Sequence, residues 1–137
     1  MPIQFQHDAP ITVPGIRCAA VQANIKAPGR NDLVLFECQA GGHVACVTTQ
    51  NLMAAAPVHQ VRAHLKQLHA SDACDGLPKY WVINTGYANA ATGVQGAKDA
   101  QSVTSALAQI LKSPEEAILQ FSTGVIGEPL PASKIVD

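Results

Sequence analysis

The sequence predicts a mixed α/β (α+β) domain, on three observations. Short apolar runs bounded by turn formers read as strands, and two longer segments carry apolar residues at helical spacing. In addition, 47% of the 137 residues are hydrophobic, enough to bury a core at the usual length of one domain. Residues 1–137 are therefore read as a single domain.

The first strand is Ile16 to Ile25 (IRCAAVQANI), closed by Lys26-Ala27-Pro28-Gly29-Arg30-Asn31-Asp32, which is dense in turn formers. Leu33 to Cys38 is the second. Ala40-Gly41-Gly42 predicts a short antiparallel hairpin into a third strand, His43 to Thr49. Ala54-Ala55-Ala56-Pro57 then leads into a helix, proline suiting its first turn. Val58, Val61, Leu65 and Leu68 recur along it at i, i+3, i+7 and i+10, with Gln60, Arg62, Lys66 and Gln67 facing outward. That stripe reads as core packing.

After a polar loop, Ser71 to Lys79, the run Tyr80 to Asn84 reads as a short buried strand followed by a loop of small residues, Thr85 to Gly93. A second helix is expected from about Gln95 to Lys112, with Ala97, Ala100, Val103, Leu107, Ile110 and Leu111 on its apolar side. Asp99 near its start and Lys112 at its end agree with the helix dipole. Ser113-Pro114 breaks it, and Ala117 to Phe121 is apolar and too short for a helix, hence the last strand. Leu130 to Asp137 starts like a helix but holds barely one turn. A helix that short is marginal, so the chain is expected to be part of something longer.

The net charge is −1, 14% of residues are charged and no basic cluster occurs, which argues against nucleic acid or an anionic membrane surface as partner. The N-terminal residues Met1 to Asp8 lack the basic-then-apolar pattern of a leader, and no apolar run approaches membrane-spanning length. A soluble cytoplasmic protein is expected. Cys18, Cys38, Cys46 and Cys74 form no CxxC pair, and the first three lie in apolar strand-like runs, which predicts buried reduced thiols. His59 and His64 share a predicted helix, but an i, i+5 separation sets them about 140° apart, unlike the i, i+4 pair of a zinc helix; no metal site is expected. Gly93-Val94-Gln95-Gly96-Ala97-Lys98-Asp99 matches neither GxxxxGK[ST] nor GxGxxG, which argues against a nucleotide phosphate at the second helix.

Ser122 to Gly127 follows the last strand and reads as a turn with two glycines, whose freedom at positive φ lets another group approach the backbone. Fixed donors at such a turn suit an oxyanion hole in acyl transfer, although a Thr-Gly pair also describes an ordinary turn.

Three segments carry a family resemblance. Asn84-Thr85-Gly86-Tyr87-Ala88-Asn89-Ala90-Ala91-Thr92-Gly93 is similar to the N-[ST]-G-x-A-N-A-x-T-G signature of the bifunctional ornithine acetyltransferase / N-acetylglutamate synthase family of arginine biosynthesis, the ArgJ family. Phe121 to Lys134 resembles its STGVIGxxLPxxK segment, and Val47 to Val58 its VFTxNxxxAAPV stretch, with Gln50 breaking the pattern.

The resemblance implies an α/β (α+β) layered sandwich, with mixed or antiparallel sheets packed between helices and incomplete in this chain. It implies a precursor that cleaves itself before a threonine, giving an α chain and a β chain that stay together in an α2β2 heterotetramer. The new N-terminal threonine of the β chain takes acetyl from N-acetylornithine and passes it to glutamate, with no cofactor; some members also use acetyl-CoA as co-substrate. The family's oxyanion hole is a Thr-Gly pair that maps onto Thr123 and Gly124. The cleavage segment, of the form PNMATML, is absent, so this chain resembles the N-terminal part of an α chain.

Two other classes fit parts of the sequence: a small-ligand binding module without catalysis, and an acetyl-CoA-dependent transferase. The second is disfavoured because the (Q/R)xxGx(G/A) loop of the common acetyl-CoA fold is missing. Without the threonine, residues 1–137 alone are expected to be inactive. An assay of acetyl exchange between N-acetylornithine and glutamate checks this, and turnover above blank would contradict it.

Overall fold

The structure is a computed structural model that describes residues 12–70 and 76–136. In chain order it contains β1 (Ile16–Val21), β2 (Leu33–Cys38), α1 (Ala56–Ala70), β3 (Lys79–Tyr87), α2 (Gly93–Leu111), a 3-10 turn at Glu115–Ala117, β4 (Ile118–Val125) and α3 (Ser133–Val136). The strands form one mixed sheet in the order β1-β2-β3-β4. β1 with β2 and β2 with β3 are antiparallel, whereas β3 and β4 are parallel. Parallel neighbours need a long crossover, and α2 provides it.

Strand alternation divides the core in two. Leu33, Leu35, Tyr80, Val82 and Ile118 pack on one face against Val103 and Ala108 of α2, with Leu130 and the start of α3 closing the end. On the other face Trp81, Leu119 and Phe121 meet Val61, Leu65 and Leu68 of α1. The sheet thus lies between helices, as the layered fold requires, although the described residues form a single sheet.

The loop from β1 to β2 is tied by one carboxylate. Buried Asp32 accepts the backbone N–H groups of Ala23 (2.8 Å) and Ile25 (2.6 Å), which lets Asn24 adopt φ 52° between them and seats Ile25 in the interior.

Several expectations are corrected. The predicted third strand, His43 to Thr49, is extended chain without a strand partner among the described residues. Both edges of β2 are taken, by β1 and β3, so no edge was left for the hairpin. Val44 and Cys46 instead lay their side chains on the α1 face of the sheet. β1 ends at Val21, short of the expected Ile25. α2 buries Gly96, Ala100, Val103, Thr104 and Ala108, while Ile110 is 68% exposed: the buried face includes Thr104 because polar groups of α1 meet it there. Gln60 of α1, expected to face outward, donates to Thr104 Oγ1 at 2.9 Å. Cys18 is exposed because β1 is an edge strand whose outer surface nothing described covers, and Cys38 and Cys46 are only half-buried; Cys74 lies outside the described residues.

Asp32→Ala should destabilise the fold by about 1–3 kcal/mol in urea unfolding, since it strands two backbone donors. Burial pushes the Tyr80 phenol above its ordinary value, with Glu37 adding to the shift and Arg17 opposing it. The folded state therefore resists ionising Tyr80: its stability is intact below about pH 10 and falls as pH rises through the higher folded value. Tyr80→Phe should flatten that alkaline loss, measured as unfolding midpoints between about pH 9 and 11.

Candidate functional site

The site is built where β3 and β4 run side by side. Their register sets Asn84 beside Ser122, Thr85 beside Thr123 and Gly86 beside Gly124. Ser122 Oγ donates to Asn84 Oδ1 at 2.6 Å, and the other half of that buried amide, Nδ2, donates to the Tyr87 carbonyl at 3.0 Å. Two pairs further on, at Gly86 and Gly124, backbone meets backbone. Gly124 has φ 133°, and a Cβ there would sit 2.6 Å from Tyr87 N and closer still to the Gly86 carbonyl. Gly86 itself has φ 113° and abuts Lys26 Cβ. Only glycine fits at position 124, on both conformational and steric grounds.

Thr123 lies between these pairs, and alternation turns its side chain to the opposite face, where it is exposed. No group among the described residues takes its hydroxyl. The backbone of Gly124 is also free to act. The Ile118 carbonyl points away from β3, toward His64 Nδ1 at 2.8 Å, whereas the Val125 carbonyl points toward β3 and accepts the Ala88 N–H at 2.9 Å. The two-residue alternation between them sends the Gly124 N–H out along the free edge of β4. A hydroxyl and a backbone N–H on adjacent residues at an open strand edge can donate together to one developing oxyanion.

Thr123 and Gly124 were expected in a turn. They are instead the end of β4, and the chain bends only at residues 126–128. Glycine is a poor strand former, but parallel pairing of Gly124 with Gly86, one step beyond the Thr85 to Thr123 pair, overrides that preference.

The loop after β3 holds this edge in place. Gly127 N–H donates to the Ala90 carbonyl (2.8 Å) and Ala56 N–H to the Asn89 carbonyl (3.1 Å), so one loop clamps both the exit of β4 and the start of α1. Asn89, fully buried at φ 49°, donates through Nδ2 to the Gly96 carbonyl (2.9 Å) and accepts from Thr92 Oγ1 (2.7 Å). The sequence shows this segment only as a loop of small residues and does not reveal these partners. The available signal was Gly96, where a Cβ would lie 2.7 Å from Thr92 Cβ.

Among the cavities that the described residues form, two border α1. One of about 330 Å³ is bordered by Gln120, Phe121 and Ser122 of β4 and by Thr48, Pro57 and Val58. A larger cleft of about 640 Å³ lies between α1 and α2. Thr123 borders neither, so what these residues form is a donor pair at an edge and not an enclosed pocket. His59 and His64 both border the larger cleft despite their spacing, and no group of three metal-ligating side chains occurs among the described residues. No described helix is long and apolar enough to cross a membrane.

The model of the family described as "ArgJ family" matches residues 17–137. The chain is 45% identical over 124 residues to the arginine biosynthesis bifunctional protein ArgJ of Neisseria meningitidis, covering 90% of this chain and 29% of that protein. It is 41% identical over 123 residues to the protein of the same name from Methylococcus capsulatus, covering 90% and 28%. Among solved structures, the arginine biosynthesis bifunctional protein ArgJ of Bacillus halodurans superposes with a TM-score of 0.75 at 31% identity, over 90% of this chain and 60% of that one. The ornithine acetyltransferase of Mycobacterium tuberculosis, solved in complex with ornithine, gives 0.73 at 32% identity, over 90% and 63%. The chain spans less than a third of the length of these curated relatives.

Gly124→Ala should cost about 3 kcal/mol or more, combining backbone strain with overlap against β3. Chemical denaturation measures the loss, and a variant as stable as the parent would mean that the two strands do not touch as described.

Proposed function

Because the chain belongs to the ArgJ family, we propose that it contributes the oxyanion hole of an acetyltransferase that moves acetyl from N-acetylornithine to glutamate in arginine biosynthesis. The observation that carries this reading is the exposed Thr123 hydroxyl next to the edge-facing Gly124 N–H.

The nucleophile is the N-terminal threonine of a β chain produced by self-cleavage of a longer precursor, with its own α-amine as the base. Its oxygen attacks the acetyl carbonyl, and the carbonyl electron pair moves onto oxygen. Thr123 Oγ and Gly124 N donate to that oxyanion, which stabilises the tetrahedral intermediate more than the substrate. Collapse expels the ornithine amine, which takes up the proton, and leaves acetyl-threonine. The glutamate amine attacks that ester through a second intermediate in the same hole. Its collapse breaks the ester bond: the threonine oxygen leaves and takes up the proton lost by the amine, and N-acetylglutamate is released. Each step is an acyl transfer that needs no resident cofactor. Acetyl-CoA enters this proposal only as the co-substrate that the resemblance implies for some family members. The working assembly is an α2β2 heterotetramer.

In a protein of family length carrying this sequence, Thr123→Ala should lower kcat by about 10²–10³-fold with little change in substrate affinity, the loss expected for one donor. Thr123→Ser keeps the hydroxyl and should retain far more activity. Measuring kcat, KM and Tm for both variants separates catalysis from folding. A stable Thr123→Ala enzyme with near-normal kcat would remove Thr123 from the mechanism.

A further inference from the structure

The cleft between α1 and α2 is separate from the Thr123 edge, and its chemistry is one-sided. We infer that it binds a linear alkylammonium ligand, with the cationic head against Glu115, Glu116 and His64 and the chain lying between the two helices.

His64 is the first observation. Its ring is buried, only 6% exposed, and Nδ1 is 2.8 Å from the Ile118 carbonyl. A carbonyl can only accept, so Nδ1 carries a proton, and in the Nδ1–H tautomer the ring presents a lone pair at Nε2. With Nδ1 committed to β4, Nε2 is the acceptor that the ring offers to the cleft it borders, and no described residue pairs with it.

The lining charges are the second. Glu115 and Glu116 border the cleft and, among the described residues, no Lys or Arg does; besides His64, His59 is the only other titratable lining group among them. Glu115 is fixed in place by Ser105 Oγ at 2.8 Å and by the Gln101 amide, while Glu116 has no side-chain partner among the described residues. Two carboxylates and an imidazole lone pair together attract an ammonium group and repel a carboxylate.

The shape supplies the third. Ala63 of α1 with Ala97 and Ala100 of α2 leave a channel between the helices, and Met53 adds an apolar wall. From Gly93 to Gln101 along α2 is about 12 Å at the helical rise, room for a head group and a short alkyl chain. Both helices begin at the far end, and their positive N-terminal dipoles disfavour a cation there. The ammonium is thereby directed to the glutamate end.

The test titrates the ¹⁵N-labelled protein with pentylammonium and, in parallel, with pentanoate, which has a similar chain and the opposite charge. Pentylammonium should shift the backbone signals of Gln60, Gln101 and Glu116 and the His64 ring protons saturably, whereas pentanoate should not. Glu116→Gln, which keeps the side-chain shape, should weaken binding about tenfold through loss of one charge-assisted contact. The inference is overturned if pentylammonium produces no saturable shift, if pentanoate binds equally well, or if Glu116→Gln leaves the affinity unchanged.

Discussion

The parallel pairing of β3 with β4 is the constraint on which the rest depends. It needs glycine at 124, because a Cβ there would strike the backbone of Gly86 and Tyr87 on the facing strand. The buried Asn84 to Ser122 hydrogen bond fixes the same register two pairs earlier. A shift of one residue would turn Thr123 into the face that packs under α2 and would bury its hydroxyl. Register, sheet packing and the chemistry of the edge are therefore one structural decision.

The loop of small residues after β3 completes that decision. Asn89, Thr92 and Gly96 lock the entry of α2 against the end of β3, and the Ala90 and Asn89 carbonyls hold the chain leaving β4 and the chain entering α1. Three elements converge on a few backbone hydrogen bonds. Such a network is costly to build from residues in left-handed conformations, here Asn89 and Ala91, and it persists because the surrounding bonds over-determine it. What it secures is an edge strand whose terminal residues stay fixed, with no partner for the Thr123 hydroxyl among the described residues. Donors oriented in advance are what charge stabilisation in acyl transfer requires.

The junction of α1, α2 and β4 follows a different logic. Gln60, His64 and Thr104 place polar groups where purely apolar packing is the default. His64 spends one nitrogen on the otherwise unpaired Ile118 carbonyl, which helps cover the outer edge of β4 and leaves its other nitrogen to the cleft. The same side chain thus links the cleft wall to the strand that carries Thr123.

Local pattern determined much of the fold. The 3.6-residue stripe of Val61, Leu65 and Leu68 identified α1, and the apolar runs at Leu33 to Cys38, Tyr80 to Asn84 and Ala117 to Phe121 identified three strands, because burial imposes these periods directly on sequence. The motif residues pointed to Thr123 and Gly124 by resemblance. Pairing, by contrast, is non-local. That β2 already has two partners, that β3 and β4 continue through Gly86 and Gly124 despite the low strand preference of glycine, and that His43 to Thr49 stays unpaired among the described residues were settled only when distant segments met. The same holds for His59 and His64, whose sequence spacing separates them but whose shared cleft depends on where α2 and the Glu115 turn pack. Periodicity records which face of an element is buried; only tertiary structure decides against what.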